Sequence, residues 1–268
     1  MVTILPNVTS LINTCLDDLI KHGQVVPTQN WQGNKSPDDM LEVLNLSYSC
    51  PMPEDQMNLG QQTKCDLPWA EDHFKERVAG NPLNPGNEYK NWRFWKNNPE
   101  ANEKAFKASG GLFSHTYMER YWPKVAGNEY ARREFGQGIR DFSNTGIRYE
   151  YGDLKDVIVL LGKDTHTRQA YLPVWFPEDT GVLHGGRVPC TLGYHFLLRN
   201  KKLHITYYIR ACDALRHFRN DIYLSIRLAQ WALVELQPHI LWNSLGLFTI
   251  HISSFHVFNK EKNLIAHV

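Results

Sequence analysis

The sequence has no apolar run long enough to cross a membrane, no basic-then-apolar leader and no low-complexity linker. The first absence excludes a helical membrane span. The second makes a cytosolic location the default expectation. Charge of one sign is also missing: 29 Lys and Arg stand against 28 Asp and Glu, for a net charge of +1. A dedicated nucleic-acid binder would be clearly basic, so no nucleic-acid partner is required. Cysteine is scarce and irregular. The five, at Cys15, Cys50, Cys65, Cys190 and Cys212, form no C-x-x-C pair. That excludes a disulfide framework and a zinc site and leaves reduced thiols. There is no internal repeat.

What is present fits an ordinary globular protein. At 268 residues, with 42% hydrophobic and 21% charged, the chain can bury a sizeable core. Eight tryptophans and twelve tyrosines are many. Most belong in a core, but Trp92-Arg93-Phe94-Trp95 can also wall a pocket for flat rings.

Apolar residues at Leu11, Ile12, Cys15, Leu16, Leu19 and Ile20 predict a helix, capped by Thr9 or Ser10 and stopped at Gly23. Residues 40–48 read as a strand. Asp66-Leu67-Pro68 opens a short helix ending near Gly80, followed by a loop over 81–86. Residues 86–150 read as long loops with short helices and no domain break. Leu154 to Leu161 reads as a helix end and Gln169 to Phe176 as a strand. Tyr194–Leu198 and Leu203–Arg210 form a hairpin. In the second strand Leu203, Ile205, Tyr207 and Ile209 alternate with polar residues. A helix capped by Asn220 or Asp221 runs to about Leu236, with Ile222, Ile226, Trp231, Leu233 and Val234 as anchors, and Leu247–Val257 is a further strand. The total is mixed α/β, with a largely meandering sheet covered by helices.

One constellation stands out. Cys190 follows Pro189 at a strand entrance, Arg210 lies on the return strand, Asp213 follows, and Asp221 lies near a helix start. Singly, each has an ordinary reading: Cys190 as a buried small hydrophobe, Arg210 as a salt bridge to Asp213, Asp221 as a helix cap. Together they set a nucleophile, a phosphate-binding cation and a base-reading carboxylate on adjoining elements, and Arg210 beside the thiol favours thiolate.

Pro189-Cys190, Arg210-Ala211-Cys212-Asp213 and Asp221 resemble the active-site core of the thymidylate synthase superfamily. Phe218-Arg219-Asn220-Asp221 is closest to the phage-type deoxycytidylate hydroxymethylases. Asp164-Thr165-His166-Thr167-Arg168-Gln169 resembles the family's arginine segment, and its sugar-contacting segment has two candidates, His251-Ile252-Ser253 and His256-Val257-Phe258. Counting from Cys190 favours the first. The resemblance implies one thymidylate synthase-like catalytic domain over residues 1–268 and a sheet-mediated homodimer, with Arg168 donated across the interface. It implies transfer of a one-carbon unit from 5,10-methylenetetrahydrofolate to C5 of a cytosine nucleotide, dCMP in particular, with water addition. Cys190 would add to C6 and Asp221 read the base. Arg210 and Arg168 would bind phosphate, with Asn220 also on the substrate. Asp213 would meet the nucleotide and the pterin. Trp92 and Trp95 would bind folate, and Glu71 or Glu76 would serve as the helix carboxylate. Where thymidylate synthases carry Asn, an ionised Asp221 offers only acceptors, which suit the amino edge of cytosine. The alternatives are a CMP hydroxymethylase, a C5-methyltransferase of dCMP or dUMP, and a non-catalytic nucleotide- or RNA-binding protein on the same scaffold.

The pattern departs from the family at the sugar-phosphate end. Ala211 stands for the usual Ser, Gln169 for a second Arg, and Ser253 or Phe258 for the usual Tyr. The first and last of these keep ribose in play beside deoxyribose. The family's long folate-sealing tail is not evident after Phe258, and a more open site suits water capture.

Overall fold

The computed structural model describes residues 2–31, 34–97, 99–108, 110–125, 151–180, 187–238 and 244–267. The strands are β1 (Thr3–Ile4), β2 (Gln24–Val26), β3 (Asn30–Trp31), β4 (Asn34–Lys35), β5 (Met40–Pro51), β6 (Tyr171–Pro173), β7 (Thr191–Arg199), β8 (Lys202–Asp213) and β9 (Ser244–Phe258). The helices are α1 (Val8–His22), α2 (Gln56–Thr63), α3 (Trp69–Val78), α4 (Arg93–Lys96), α5 (Pro99–Ala108), α6 (Tyr117–Tyr121), α7 (Leu154–Lys163) and α8 (Phe218–Leu236). Of the 86–150 stretch, residues 126–150 lie outside the described residues. Among the described residues no helix is long and apolar enough to cross a membrane.

The main sheet runs β1-β5-β9-β8-β7-β6, with β2 also paired to β5. The expected hairpin forms β7 and β8 in antiparallel register. The expected meander does not continue. β9 runs parallel to β8, and α8 is the crossover between them. A parallel pair cannot be closed by a tight turn, so an amphipathic helix must return the chain across one face. β9 then pairs antiparallel with β5, from the other half of the sequence.

The core lies between this sheet and the helices. α1 buries Leu11, Ile12, Cys15, Leu16 and Leu19, while the sixth predicted position, Ile20, is exposed. The cap is Asn7, whose side chain accepts the Ser10 N–H. α8 begins at Phe218, so Asn220 and Asp221 lie inside its first turn and neither caps it. Ile222 and Ile226 are buried as predicted, but Val234 is exposed. The strand expected over 169–176 is only Tyr171–Pro173. It lies so close to β7 that a Cβ at Gly193 would come 2.6 Å from the Leu172 carbonyl oxygen. The pairing of β7 with β8 slips between Thr191 and Gly193, and Asn45 of β5 has a positive φ of 58°. Such irregularities bend strands and redirect side chains. The first of them adjoins Cys190.

The other face of the sheet carries polar and aromatic groups. Ser47, His251 and Tyr208 are cross-strand neighbours on β5, β9 and β8. Ser47 Oγ lies 2.7 Å from His251 Nδ1, and the His251 and Tyr208 rings stack at 5.2 Å.

Phe218 is fully buried, with its ring 4.6 Å from that of Phe255. Phe218→Ala is expected to cost about 3–5 kcal/mol, whereas Val234→Ala on the exposed face changes stability by under about 0.5 kcal/mol. Urea unfolding midpoints at constant m-value check both.

Candidate active site

Cys190 sits just before β7, half-buried, where its carbonyl accepts the Arg210 N–H at 2.9 Å. The Arg210 side chain holds the same segment. Its Nε donates to the Pro189 carbonyl at 2.9 Å, an Nη donates to Val188 at 3.4 Å, and the guanidinium lies 5.3 Å from the Trp175 ring. The salt bridge to Asp213 is not made. Asp213 instead accepts the Leu215 and Arg216 N–H groups and pairs with the Arg216 side chain at 3.1 Å, which in turn grips Glu261 with two bonds of 2.8 Å. Asp213 thereby shapes the turn that leads into α8.

Asp221 comes from the first turn of α8. Its Oδ2 lies 3.9 Å from Cys212 Sγ, and its charge acts on the Cys190 thiol. Burial pushes the Asp221 carboxyl up to about 7, against the pull of the Arg77 cation and with a smaller push from Asp213. The Cys190 thiol is likewise raised by burial. Arg210 and Arg187 lower it, Asp221 and Asp213 raise it, and burial is the largest influence. The expectation that Arg210 favours thiolate holds for its sign, but desolvation outweighs it. The other thiols stand further from reactivity: burial pushes Cys65 to about 11 and Cys50 to about 12, and Cys15 and Cys212 are also strongly raised.

Two residues that the sequence did not single out stand beside this group. Tyr117, at the start of α6, has its hydroxyl 2.9 Å from Thr191 Oγ1, the residue after Cys190. Thr191 Oγ1 continues to the Tyr207 hydroxyl at 3.0 Å. Arg77, on α3, is buried, with its guanidinium 4.0 Å from the centre of the Tyr117 ring. The signals were there in part. Thr116-x-x-Glu119 is a capping box that starts a helix at Tyr117. Ala70, Phe74 and Arg77 fall on one buried stripe of α3, where arginine is out of place unless it has a task.

Other candidates are committed elsewhere. Asn220 exchanges two bonds of 2.9 Å with Asp66, one from its amide and one to the Asp66 N–H, so it ties a loop to α8. Glu71 holds Arg227 through bonds of 2.8 and 2.9 Å and also accepts from Tyr223 at 2.9 Å. Its helix face meets α8, not Cys190. Glu76 accepts the Asn87 and Glu88 N–H groups at 2.5 and 3.3 Å and so orders that loop.

The two tryptophans part company. Trp92 lies between Trp69 and His217, with ring separations of 6.0 and 5.1 Å. Trp95 joins Tyr89, Phe106 and Phe113 in a separate cluster. The two histidines part as well. His251 turns to Ser47 and Tyr208 on the open face of the sheet. His256 falls within the fields of Asp213 and Arg210, and counting from Cys190 had favoured the other. Along β9 the buried set changes from Ile250 and Ile252 to Phe255 and Val257, so His251 and His256 do not share one alternation. Ser253 is exposed between the two sets. Arg168 is exposed too, and its carbonyl lies 3.0 Å from His195 Nε2.

No protein-family model matches the chain. A curated relative from Methanosarcina mazei, named "Putative thymidylate synthase", is 25% identical over 172 residues, covering 59% of this chain and 75% of the relative. Among solved structures, thermostable thymidylate synthase A from Bacillus subtilis superposes with a TM-score of 0.59 at 12% identity, over 97% of this chain and 83% of that one. The protein is therefore thymidylate synthase-like, in fold across nearly its whole length and more faintly in sequence.

Proposed function

We propose that the protein transfers a one-carbon unit from 5,10-methylenetetrahydrofolate to C5 of a cytosine nucleotide, with addition of water to give the 5-hydroxymethyl product. The observation that carries this reading is what meets Cys190: Arg210 holds its backbone, and Arg210 and Asp221 both act on its thiol, with opposite sign. Cys190 Sγ adds to C6 of the pyrimidine, which places the electron pair on C5. Once C5 carries the transferred carbon, loss of the C5 proton would break the bond from that carbon to the folate nitrogen and leave an exocyclic methylene on a ring still tethered to Cys190; water would add to the methylene, and the re-formed C5–C6 double bond would expel the Cys190 thiolate. Tyr117, whose hydroxyl meets Thr191 next to Cys190, and Asp221, with its carboxyl near neutrality, would be available to move the C5 proton. Neither Glu71 nor Glu76 is offered for it.

When bound, methylenetetrahydrofolate supplies carbon at the oxidation level of formaldehyde. The rings of Trp69, Trp92 and His217 give a flat ladder next to the turn organised by Asp213, a surface suited to a pterin. Trp95 would act at a distance by packing. Arg210 supports phosphate, and the polar open face of the sheet supports a homodimer, with the exposed Arg168 near that face available to the neighbouring copy's nucleotide. The whole chain would then serve as one catalytic unit, with His256 toward the sugar.

A second reading has its own support. With its carboxyl raised to about 7, Asp221 is also present as the acid, and a carboxylic acid has one donor and one acceptor. That form can meet uracil, as an amide does, so methylation or hydroxymethylation of dUMP stays the competing assignment.

Nucleotides tritiated at C5 separate these readings. With methylenetetrahydrofolate, dCMP and CMP are expected to release tritium faster than dUMP, and the product to carry a hydroxymethyl mass without dihydrofolate absorbance. No release from any of the three overturns the proposal. Iodoacetamide is expected to label Cys190 first among the five cysteines. Asp221→Asn removes a nearby anion that raises the thiol, so it is expected to speed that labelling at pH 8, while Arg210→Met slows it. Glu71→Gln leaves Arg227 without its counter-charge. It is expected to cost about 3–5 kcal/mol in urea unfolding while the folded fraction keeps its kcat.

A further inference from the structure

Three hydroxyls line up behind Cys190. That of Tyr117, on α6, lies 2.9 Å from Thr191 Oγ1 at the head of β7, and Thr191 Oγ1 lies 3.0 Å from the Tyr207 hydroxyl on β8. Thr191 and Tyr207 are each 1% exposed, whereas Tyr117 is only half-buried. The Tyr194 ring stacks on Tyr207 at 4.9 Å and packs the inner end. Burial keeps both phenols of the chain protonated at ordinary pH, so each of the three hydroxyls has one hydrogen to place. The inner end fixes the direction. Among the described residues the Tyr207 hydroxyl has one hydrogen-bond partner, Thr191 Oγ1. If Tyr207 accepted there, its own O–H would be buried with nothing to receive it, at the full cost of desolvating a donor. Tyr207 therefore donates to Thr191. The Thr191 hydrogen then goes to the remaining partner, the Tyr117 oxygen. Were Tyr117 to donate as well, the buried Thr191 hydrogen would be the orphan. The Tyr117 hydrogen is the one that the chain leaves over.

We infer that Thr191 and Tyr207 are positioning residues: their hydroxyls run one way, from the core outward, and so keep the Tyr117 hydrogen out of the core and available to the reacting pyrimidine. This rests on the reading that the pyrimidine reacts at Cys190, and it gives Tyr117 a definite part in removing the C5 proton. The C5 proton bonds to the Tyr117 oxygen as the hydrogen already there passes to a water in the cleft, and the C5–H electron pair stays on carbon. Tyr117 is a neutral phenol before and after, so no buried anion is left behind. The opposite polarity would send the displaced hydrogen inward, to a phenol with no outlet. The Arg77 guanidinium, 4.0 Å from the centre of the Tyr117 ring, favours whatever negative charge that ring gathers on the way.

Two measurements test this. Neutron diffraction of the deuterium-exchanged protein reads the direction and needs no substrate. The Tyr207 deuteron is expected on the line to Thr191, the Thr191 deuteron on the line to Tyr117, and the Tyr117 deuteron on neither. A Tyr117 deuteron aimed at Thr191 overturns the inference. Kinetics then reads the use of that direction. Thr191→Val combined with Tyr207→Phe removes the chain and leaves no hydroxyl of it buried without a partner. This variant is expected to release tritium from C5 about tenfold more slowly at unchanged nucleotide affinity, and Thr191→Ser, which restores the hydroxyl, to recover most of the rate. If the double variant does not fold, Tyr207→Phe alone makes the same comparison. Added to Tyr117→Phe, the same changes are expected to cost nothing further, because the group they serve is gone. Equal slowing with and without Tyr117 marks a merely structural pair and overturns the inference, as does an unslowed variant. If the wild-type protein releases no tritium from any nucleotide, the substrate reading falls, and the deuteron positions alone decide which way the chain runs.

Discussion

Phe218 enters the core beside Phe255, and the turn before it is fixed by the Asp213 carboxylate, which accepts two backbone N–H groups and the Arg216 side chain. With the end of β8 and the start of α8 so anchored, Asp221, one helical turn beyond Phe218, has little choice of direction. It comes down beside Cys212 and toward Cys190. Arg210 and Tyr117 are fixed instead on the strand side, by Pro189 and by Thr191, on either side of Cys190. A helix entering one residue later would turn Asp221 about 100° around the axis and dissolve the cluster.

Burial is the dominant electrostatic force in this cleft. It raises the acid of Asp221 and the thiol of Cys190, and pushes the His217 ring down to about 4. Arginine charges oppose burial at the first two sites without overturning it. Of the three, only the Asp221 carboxyl would be fully ionised in water near neutrality, so it is the group whose charge burial changes most there.

The legible part of the site was the part written along a continuous stretch of chain. Cys190, Arg210, Asp213 and Asp221 sit on a hairpin and the helix that follows, and alternation and spacing place them there. The parallel return of β9 was not legible, because strand order depends on which edge a distant segment finds. That return sets His256 opposite Asp213 and leaves His251 beside Tyr208. Asn220 and Glu71 were chosen by residue type, but their partners lie 154 and 156 positions away. Nothing local announces Asp66 or Arg227 as their mates. Arg77 was the reverse case: its spacing to Ala70 and Phe74 puts it on the buried face of α3, while the Tyr117 ring it covers belongs to another helix.

The bond between Arg216 and Glu261 has a bearing on motion. Glu261 belongs to the short 3₁₀ segment Asn259–His267, and Arg216 shares its guanidinium between that segment and Asp213. Peeling the segment away would strip the turn before α8 of half its clamp, so the two regions should open and close as one cooperative unit. A surface coil that looks peripheral in this way shares the clamp that fixes the start of α8.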